Sequence, residues 1–275
     1  MYLFSAIAIQ CISLGETHPE VAKSLYYKAM VCRCQGKYLE AKKYLDDVIP
    51  CQRDKLGKYH PTTITTLLAM GFNFMDLAKY STAGHVYERA NQLLRKSYGK
   101  DHVIVALGIT GLAENFRLKG MYPRAKELHE QALYMRRKLL GEKHPLVAES
   151  IYYLSEINLI NAKFEESMKG FDDALALQRM SLGNVHPSIC NTVQGIGKTL
   201  LAQGKVMEAK NTQEKALTMK KSIYSPDHPS IGESQLLIAQ IYRKLGKLDQ
   251  ATAFFERCTN TIRDSRGSRH PLVCL

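Results

Sequence analysis

A His-Pro dipeptide recurs along this chain at a fixed interval of 42 residues. It begins at positions 18, 60, 144, 186, 228 and 270, and at position 102 the histidine is kept while valine replaces the proline. A glycine stands three residues before each of these histidines, with Ser225 as the exception. A period this regular, without a single insertion, predicts a stack of similar supersecondary units in which each unit contacts only its neighbours.

Each unit is predicted to hold two antiparallel helices. In the unit that follows Gly141, Pro145 suits the first turn of a helix, where a missing N–H costs nothing. Apolar side chains at helical spacing predict a first helix over about 146–161. After a short turn with Ala162 at its centre, a second helix is predicted over about 164–181. The same reading of every unit predicts an all-α fold without strands.

Three positions of the unit carry small side chains in nearly every copy, which lets two helices approach closely at fixed points. The all-β WD40 alternative fails because the chain has no tryptophan and its segments are helical, and the small residues decide against HEAT and armadillo units of similar length. The positions are Ala29, Gly71, Ala113, Ser155, Gly197 and Ala239; Ala41, Ala83, Ala125, Ser167, Ala209 and Ala251; and Val48, Ala90, Ala132, Ala174, Ala216 and Cys258.

This spacing resembles that of the tetratricopeptide repeat, in the 42-residue variety of kinesin light chains and nephrocystin-3-like proteins. Residues 144–148 (HPLVA) and 36–41 (GKYLEA) are close matches to that pattern. The resemblance covers essentially the whole chain. It implies an all-α, right-handed superhelical solenoid of helix-turn-helix units that acts as a non-catalytic protein-interaction scaffold, similar to a kinesin-light-chain adaptor.

The chain is predicted to hold six complete repeats between two partial ones. Residues 1–17 are the second helix of a partial repeat, and residues 270–275 begin a further repeat. Neither end carries a polar capping helix, so we expect end-to-end self-association or a place within a longer protein. Repeats one to six span 18–59, 60–101, 102–143, 144–185, 186–227 and 228–269.

No motif points to catalysis, a metal or a cofactor, and we expect none of the three. Gly197-Lys198-Thr199 is similar to the end of a phosphate-binding loop, but Thr192 stands where that loop requires a glycine, and no strand precedes it. The periodic histidines belong to different repeats, so neighbouring copies are too far apart to share a metal ion. We interpret them as residues of turns and helix caps.

Charge and cysteine content indicate the cellular compartment and the kind of partner. The net charge of +12, from 38 basic and 26 acidic residues, favours acidic partners. Seven cysteines, an odd number without a pairing framework, fit a reducing intracellular setting. No run reaches the roughly 18 apolar residues of a membrane span. We expect a cytoplasmic protein with protein partners and no membrane association.

The resemblance implies that the first helices line a concave groove in which an extended peptide docks. Counted from each histidine, the sixth, ninth, thirteenth and sixteenth positions form one stripe at helical spacing. Repeats one and two present an apolar patch in this stripe, and basic side chains lie at its edge. The expected ligand is therefore an extended segment with an apolar anchor and some acidic residues. The candidate peptide-binding residues are Lys23, Tyr26, Met30, Arg33, Leu68, Phe72, Met75, Glu114, Arg117, Tyr152, Gln194 and Lys198.

Two other functions remain open at this point. One is a regulatory repeat module of a larger signalling or ciliary protein. The other is an RNA-binding helical repeat that uses the basic surface. The predicted stripe holds five basic and four acidic residues, so the excess charge is not focused there and a nucleic-acid partner is disfavoured.

Overall fold

The computed structural model describes residues 2–266, and within them the side chains of residues 7–263. The predicted start of a further repeat at 270–275, including His270-Pro271 and Cys274, lies outside the described residues, as does Gly267. The described residues form thirteen helices and no strand, which confirms the all-α prediction. The helices are α1 (Tyr2–Leu14), α2 (Pro19–Cys34), α3 (Tyr38–Leu56), α4 (Pro61–Asp76), α5 (Tyr80–Tyr98), α6 (Val103–Leu118), α7 (Tyr122–Leu140), α8 (Pro145–Ile160), α9 (Phe164–Leu182), α10 (Pro187–Ala202), α11 (Val206–Ile223), α12 (Pro229–Lys244) and α13 (Leu248–Arg266).

The periodic histidines cap the first helices, as predicted. In each of α2, α4, α6, α8, α10 and α12, the histidine is the N-cap, and its Nδ1 accepts a hydrogen bond from the backbone N–H two residues later at 3.1–3.3 Å. This bond satisfies one of the N–H groups that a helix N-terminus leaves unpaired. Proline follows in five of the six helices, and Val103 replaces it in α6.

The turns between the two helices of a repeat require a left-handed backbone at their central residue. Glycine provides it in four of the six repeats, with φ between 73° and 81°. Ala78 and Ala162 occupy the same position with φ of 56° and 57°. An alanine Cβ makes this conformation unfavourable, so these two turns are strained.

The single departure from the glycine pattern shortens one helix. Gly57, Gly99, Gly141 and Gly183 end the second helices with positive φ. Ser225 replaces the glycine after α11, and that helix ends one residue earlier, with Tyr224 in extended conformation at φ −110°. A serine does not readily adopt the left-handed conformation, so the chain leaves the helix before reaching it.

The small-residue positions are buried wherever the repeat places them. Ala41, Ala83, Ala125 and Ala209 all have 0% exposure, and Ser167 shares that value. Cys190 and Cys258 are also buried, at 0% and 2%, as expected for cysteines that replace alanine. These positions therefore form the close contacts between helices that the sequence predicted.

The chain divides into two compact units, Met1–Gly120 and Met121–Leu275, here named unit 1 and unit 2. Within each unit, every helix packs on the next helix along the chain, and each first helix also contacts the first helix of the following repeat. The boundary falls inside the predicted repeat 102–143, after α6. The division into six repeats stays a prediction, and the names repeat one to repeat six refer to the predicted ranges.

Candidate functional site

Four apolar side chains on α2 and α4 form a partly exposed patch in unit 1. Tyr26, Met30, Phe72 and Met75 are half-buried. Tyr26 and Met30 pack against a buried cluster that includes Leu45, and burial raises the pKa of the Tyr26 phenol while the charge of Arg33 lowers it. We name these four residues the unit 1 patch. Tyr26 and Met30 lie on α2 and Phe72 and Met75 on α4, two helices that contact one another, and binding of a peptide by these residues stays a prediction.

Leu68 was expected in the same patch, and the structure places it in the core instead. Only 2% of this residue is exposed. Helix α4 lies among α2, α3, α5 and α6, so more of its surface is covered by neighbours than a stripe on an isolated helix suggests. A ligand on the patch cannot reach this side chain.

The cations assigned to ligand carboxylates in unit 1 already have acidic partners. Arg33 donates to Asp76 at 2.9 Å from the neighbouring first helix, and its guanidinium lies 5.7 Å from the centre of the Phe72 ring. Burial lowers the pKa of Arg33, but the charge and hydrogen bond of Asp76 outweigh it and raise this pKa overall. Arg117 forms a bidentate pair with Glu114 on the same helix, with N–O distances of 2.9–3.1 Å.

These pairs correct the predicted roles of the charged residues. Glu114 is 7% exposed, because Arg117 and the surrounding helices cover it. Arg33 and Arg117 would have to exchange an existing partner for a ligand carboxylate, which lowers the gain from any such contact. Lys23 differs: it is exposed and lies 3.6 Å from the exposed carboxylate of Glu20, a pair that solvent screens.

In unit 2 the three predicted residues lie on α8 and α10 and are engaged in internal contacts. Tyr152 is half-buried, with its ring 5.7 Å from that of Phe171. Lys198 pairs with Glu156 of the preceding first helix at 3.3 Å. Both side chains therefore face neighbouring helices as well as the surface.

Gln194 is an interior residue, in contrast to its predicted place in the groove. It is 6% exposed, its Nε2 lies 3.3 Å from Ser234 Oγ, and its Oε1 accepts from Lys220 Nζ at 2.7 Å. Lys220 is fully buried, and this burial lowers its pKa to about 8. The amide is needed inside because a buried ammonium requires an acceptor.

A surface hollow of unit 2 is lined by residues of α8, α10 and α12. Leu159, Leu201 and Leu237 line a cavity of about 490 Å³, whose rim includes Lys198 and Arg243. Arg243 is exposed, so this hollow combines apolar walls with positive charge. It is the part of unit 2 that most resembles a binding surface.

One polar residue missed by the sequence reasoning lines a cavity in unit 1. Gln52, on the second helix α3, is 4% exposed, and its Oε1 has no hydrogen-bond partner. It borders a cavity of about 390 Å³ together with Tyr26 and Lys23. The candidate stripe followed first helices alone and so passed over this side chain. A signal was present, since Leu94 and Ile262 occupy the same position in other repeats.

The described part of the chain shows neither a metal-binding cluster nor a membrane-spanning helix. Among the described side chains, those of residues 7–263, no three from His, Cys, Asp or Glu converge on a point that would hold a metal ion. Among the helices of residues 2–266, none has the length and apolar character to cross a membrane. Gly197-Lys198-Thr199 lies inside α10 and not in a loop after a strand.

Solved structures share this fold at low sequence identity. BtubC (BKLC) from P. vanneervenii matches with a TM-score of 0.57 and 16% identity, over 86% of this chain and 94% of that chain. A putative kinesin light chain with nearly identical TPR-like repeats from Podosopora anserina gives 0.51 and 21%, over 75% and 98%. The apo form of RapI gives 0.68 and 13%, over 94% and 90%. At these identities the likeness shows the fold alone.

Family membership rests on sequence. No curated protein matches the chain. The family model of the tetratricopeptide repeat matches residues 105–180 and 188–264, which is more than half of the 275 residues. Stacked repeats of this kind generally serve as non-catalytic interaction scaffolds. The helix pairs, the histidine caps and this match together show that the chain belongs to the tetratricopeptide repeat family.

Proposed function

We propose that this protein is a non-catalytic cytoplasmic adaptor that binds an extended segment of a partner protein along the first helices of unit 1. The observation that carries the proposal is the unit 1 patch, Tyr26, Met30, Phe72 and Met75. These side chains are half-buried on two adjacent first helices, so each keeps surface that a ligand can cover. Apolar anchors of this type supply most of the affinity in protein recognition, and methionine adapts to irregular ligands.

Charge would contribute mainly to the rate of association. Because Arg33 and Arg117 are paired internally, acidic residues of the partner would be attracted by the overall charge of +12 more than by contact with these two. Such long-range attraction speeds encounter and weakens as salt is added. The partner segment we propose has apolar anchors first and acidic residues second.

Capture of partners with the full chain tests this function. The intact protein is immobilised, bound proteins are identified by mass spectrometry, and their affinity is compared with that for Phe72→Ala and Met75→Lys. We expect each substitution to weaken binding about tenfold or more. Met180→Ala is the matched control, since Met180 is 70% exposed on the second helix α9. Equal binding by all four proteins would contradict the proposal.

The two alternatives receive less support. Ion pairs between Arg33 and Asp76 and between Lys198 and Glu156 neutralise cations on the first-helix faces that an RNA backbone would require. A steep loss of RNA binding between 50 and 200 mM salt, of about a thousandfold, would favour the RNA-binding function instead. Capture of a subunit of a signalling or ciliary assembly would favour the regulatory module.

Self-association is a further part of the proposal. Ile9 and Ile12 on α1 are 65% and 87% exposed, which is costly for apolar side chains in water. A second copy that covers them would remove this cost. Light scattering over a range of protein concentrations should show a rising mass, and Ile12→Lys should abolish the rise. A constant monomer mass at high concentration would contradict self-association.

A further inference from the structure

A cavity of unit 1 lies where α2, α3 and α4 meet, at the junction of repeats one and two. Its volume is about 390 Å³. Tyr26, Tyr27 and Leu56 form apolar walls, and Gln52 and Thr66 contribute polar atoms to the lining. Tyr27 is 53% exposed, so one aromatic wall stands open to solvent. The cavity is therefore accessible, and two tyrosine rings stand in an otherwise mainly polar lining.

Gln52 lines this cavity, and its buried side-chain oxygen is a hydrogen-bond acceptor without a donor that a ligand meets when the side chain turns into the cavity. Gln52 is 4% exposed, and its Oε1 has no partner within hydrogen-bond distance. A buried acceptor that is left unpaired costs free energy, and native structures rarely tolerate one without a reason. A ligand that brings a donor to this oxygen removes that cost.

The threonines of the lining also present oxygen lone pairs, because their hydroxyl protons are already in use. Thr65 and Thr66 donate to the carbonyl of Thr62 at 3.0 and 2.8 Å. The Thr62 hydroxyl lies 2.8 Å from His60 Nδ1, the nitrogen that accepts the Thr62 backbone N–H, so this hydroxyl is the donor. Each of these hydroxyls can then accept from a ligand but has no proton left to donate.

Charge at the rim favours a neutral ligand over a cation. Lys23 and Glu20 line the cavity as an exposed ion pair and cancel one another. No further carboxylate borders the cavity to neutralise a bound guanidinium or ammonium, and the chain as a whole carries +12. Burying a charge without a partner is costly, whereas a neutral donor avoids this cost.

The same residue pair is closed in unit 2. Gln178 and Thr192 lie three repeats after Gln52 and Thr66, and there the threonine hydroxyl lies 2.8 Å from its acceptor Gln178 Oε1 as well as 3.1 Å from the Ser188 carbonyl. In unit 1 the Thr66 hydroxyl donates to a backbone carbonyl, and the cavity borders both side chains. The acceptor of unit 1 thus lacks the internal donor that its counterpart has.

We propose that this cavity binds a neutral aromatic side chain that carries one O–H or N–H donor, such as a tyrosine phenol, with the donor on Gln52 Oε1. The ring packs against the Tyr26–Tyr27 pair, whose own rings are in edge-to-face contact with centres 5.6 Å apart, and a further edge-to-face contact with either ring is favourable. The inference rests on the proposed function, because the partner segment supplies the side chain. The inference adds to that function the type of side chain that the cavity at the junction of repeats one and two selects.

Single amino-acid amides test the cavity without a partner protein. The isotope-labelled full chain is titrated with N-acetyl-tyrosinamide, N-acetyl-phenylalaninamide and N-acetyl-argininamide, and binding is followed by NMR shifts of residues in α2, α3 and α4. We expect the tyrosine amide to bind about three- to tenfold more tightly than the phenylalanine amide, the effect of one hydrogen bond. Equal affinities, or a preference for the arginine amide, would overturn the proposal.

Substitutions at Gln52 test whether its side-chain oxygen causes the preference for the tyrosine amide over the phenylalanine amide. Gln52→Leu introduces the residue found at Leu94 and should erase the preference for tyrosine over phenylalanine. Gln52→Glu keeps the shape, adds a charge and should shift the preference toward the arginine amide. Gln178→Leu, at the closed position, should leave the preference unchanged. If it survives in a folded Gln52→Leu protein and Gln52→Glu behaves as the parent does, the site lies elsewhere.

The two proposals fail in different ways. If the tyrosine amide binds with the expected preference while Phe72→Ala and Met75→Lys leave partner capture unchanged, the function on the unit 1 patch is wrong and the cavity stands. If partner capture depends on the patch while the amides show no preference, the adaptor function stands and the tyrosine-type anchor is wrong.

Discussion

One buried position of the second helices is treated differently in the two units. Unit 1 places Gln52 and Leu94 there, and unit 2 places Arg136, Gln178, Lys220 and Ile262, all with at most 4% exposure. In unit 2 each of the three polar side chains bonds to a neighbouring first helix. In unit 1 leucine needs no partner and glutamine has none for its Oε1. The buried polar residues of unit 2 are therefore paired with a neighbouring first helix, whereas Gln52 Oε1 of unit 1 is unpaired in a side chain that lines a cavity.

The tyrosine pairs next to these glutamines show the same contrast. Tyr26-Tyr27 in repeat one and Tyr152-Tyr153 in repeat four occupy equivalent positions. Tyr153 stacks on His129 with ring centres 4.9 Å apart, and it is half-buried. Tyr27 is 53% exposed beside the cavity. Similar sequence in the two repeats thus gives a stacked, half-buried Tyr153 in unit 2 and an exposed Tyr27 in unit 1.

The largest expected effect comes from exchanging the residues of two junctions. Leu94 packs against Gly108, where an added Cβ would lie 2.9 Å from Leu94 Cδ1. Arg136 is held by the Leu146 carbonyl and Ser150 Oγ, each at 2.8 Å, and by an ion pair at 2.9 Å to Glu149 without hydrogen-bond geometry. Leu94→Arg should destabilise the chain by about 3–5 kcal/mol, because it buries a charge without a carboxylate partner.

The reverse change is the control for that exchange. Arg136→Leu combined with Glu149→Leu replaces both members of the ion pair by apolar side chains, a replacement that is often close to neutral. Its cost in urea unfolding should stay below about 2 kcal/mol. Equal costs for the two variants would show that the junctions of units 1 and 2 tolerate charge alike, and the comparison would fail.

Lys220 predicts a pH dependence that is the next largest effect. Burial lowers its pKa from 10.5 to about 8, while the charge of Glu233 opposes that shift. Between these values the unfolded chain binds more protons than the folded one, so stability rises as pH increases from about 8 to 10.5 and this contribution is lost below 8. The gain is on the order of 3 kcal/mol.

Urea midpoints at several pH values measure this effect. Lys220→Met should remove the rise in stability with pH. The difference between parent and variant separates the titration of Lys220 from that of the tyrosines, which titrate in a similar pH range. Leu94→Met is the matched control at the same position of unit 1, and it should keep the full rise. A variant Lys220→Met with the same slope as the parent would mean that the lysine keeps an ordinary pKa.

The repeat itself was predictable because its signals are local. The histidine caps, the turn centred on Ala162 and the small residue at Ala125 each act through a few neighbouring backbone atoms or one close contact. The positions of the helices followed to within one or two residues. The one-residue shortening before Ser225 follows from the same rule, since it occurs where the glycine is missing.

The candidate site was less predictable because exposure depends on several helices at once. Leu68 and Gln194 belong to the same stripe as Phe72 and Lys198, yet the first two are buried. Helical spacing places all four on related faces, but it does not tell how far the neighbouring helices cover each position. The Arg33–Asp76 pair joins two repeats, so reading each repeat separately could not reveal it.

Two threonine substitutions test the closed and open junctions directly. Thr192→Val removes the donor to Gln178 Oε1 and leaves a buried acceptor unpaired, at an expected cost of about 1–3 kcal/mol. Thr66→Val should cost about 0.5 kcal/mol or less, because Gln52 does not depend on its hydroxyl. Thermal and urea unfolding give both values. Similar costs would indicate that Gln52 and Thr66 do interact, and that unit 1 is closed like unit 2.

The smallest expected effect calibrates the whole comparison, because it should be the same in both units. Ala78 in unit 1 and Ala162 in unit 2 adopt nearly identical left-handed conformations, with φ of 56° and 57°. Glycine relieves about 1–2 kcal/mol of strain and restores about 0.4–1 kcal/mol of unfolded-state entropy. Ala78→Gly and Ala162→Gly should therefore each stabilise the chain by roughly 0.5 kcal/mol. If only one of them does so, the measured free energy of unfolding does not depend equally on the two units. Differences between the junction variants would then contain that inequality in addition to any effect of Gln52 or Gln178.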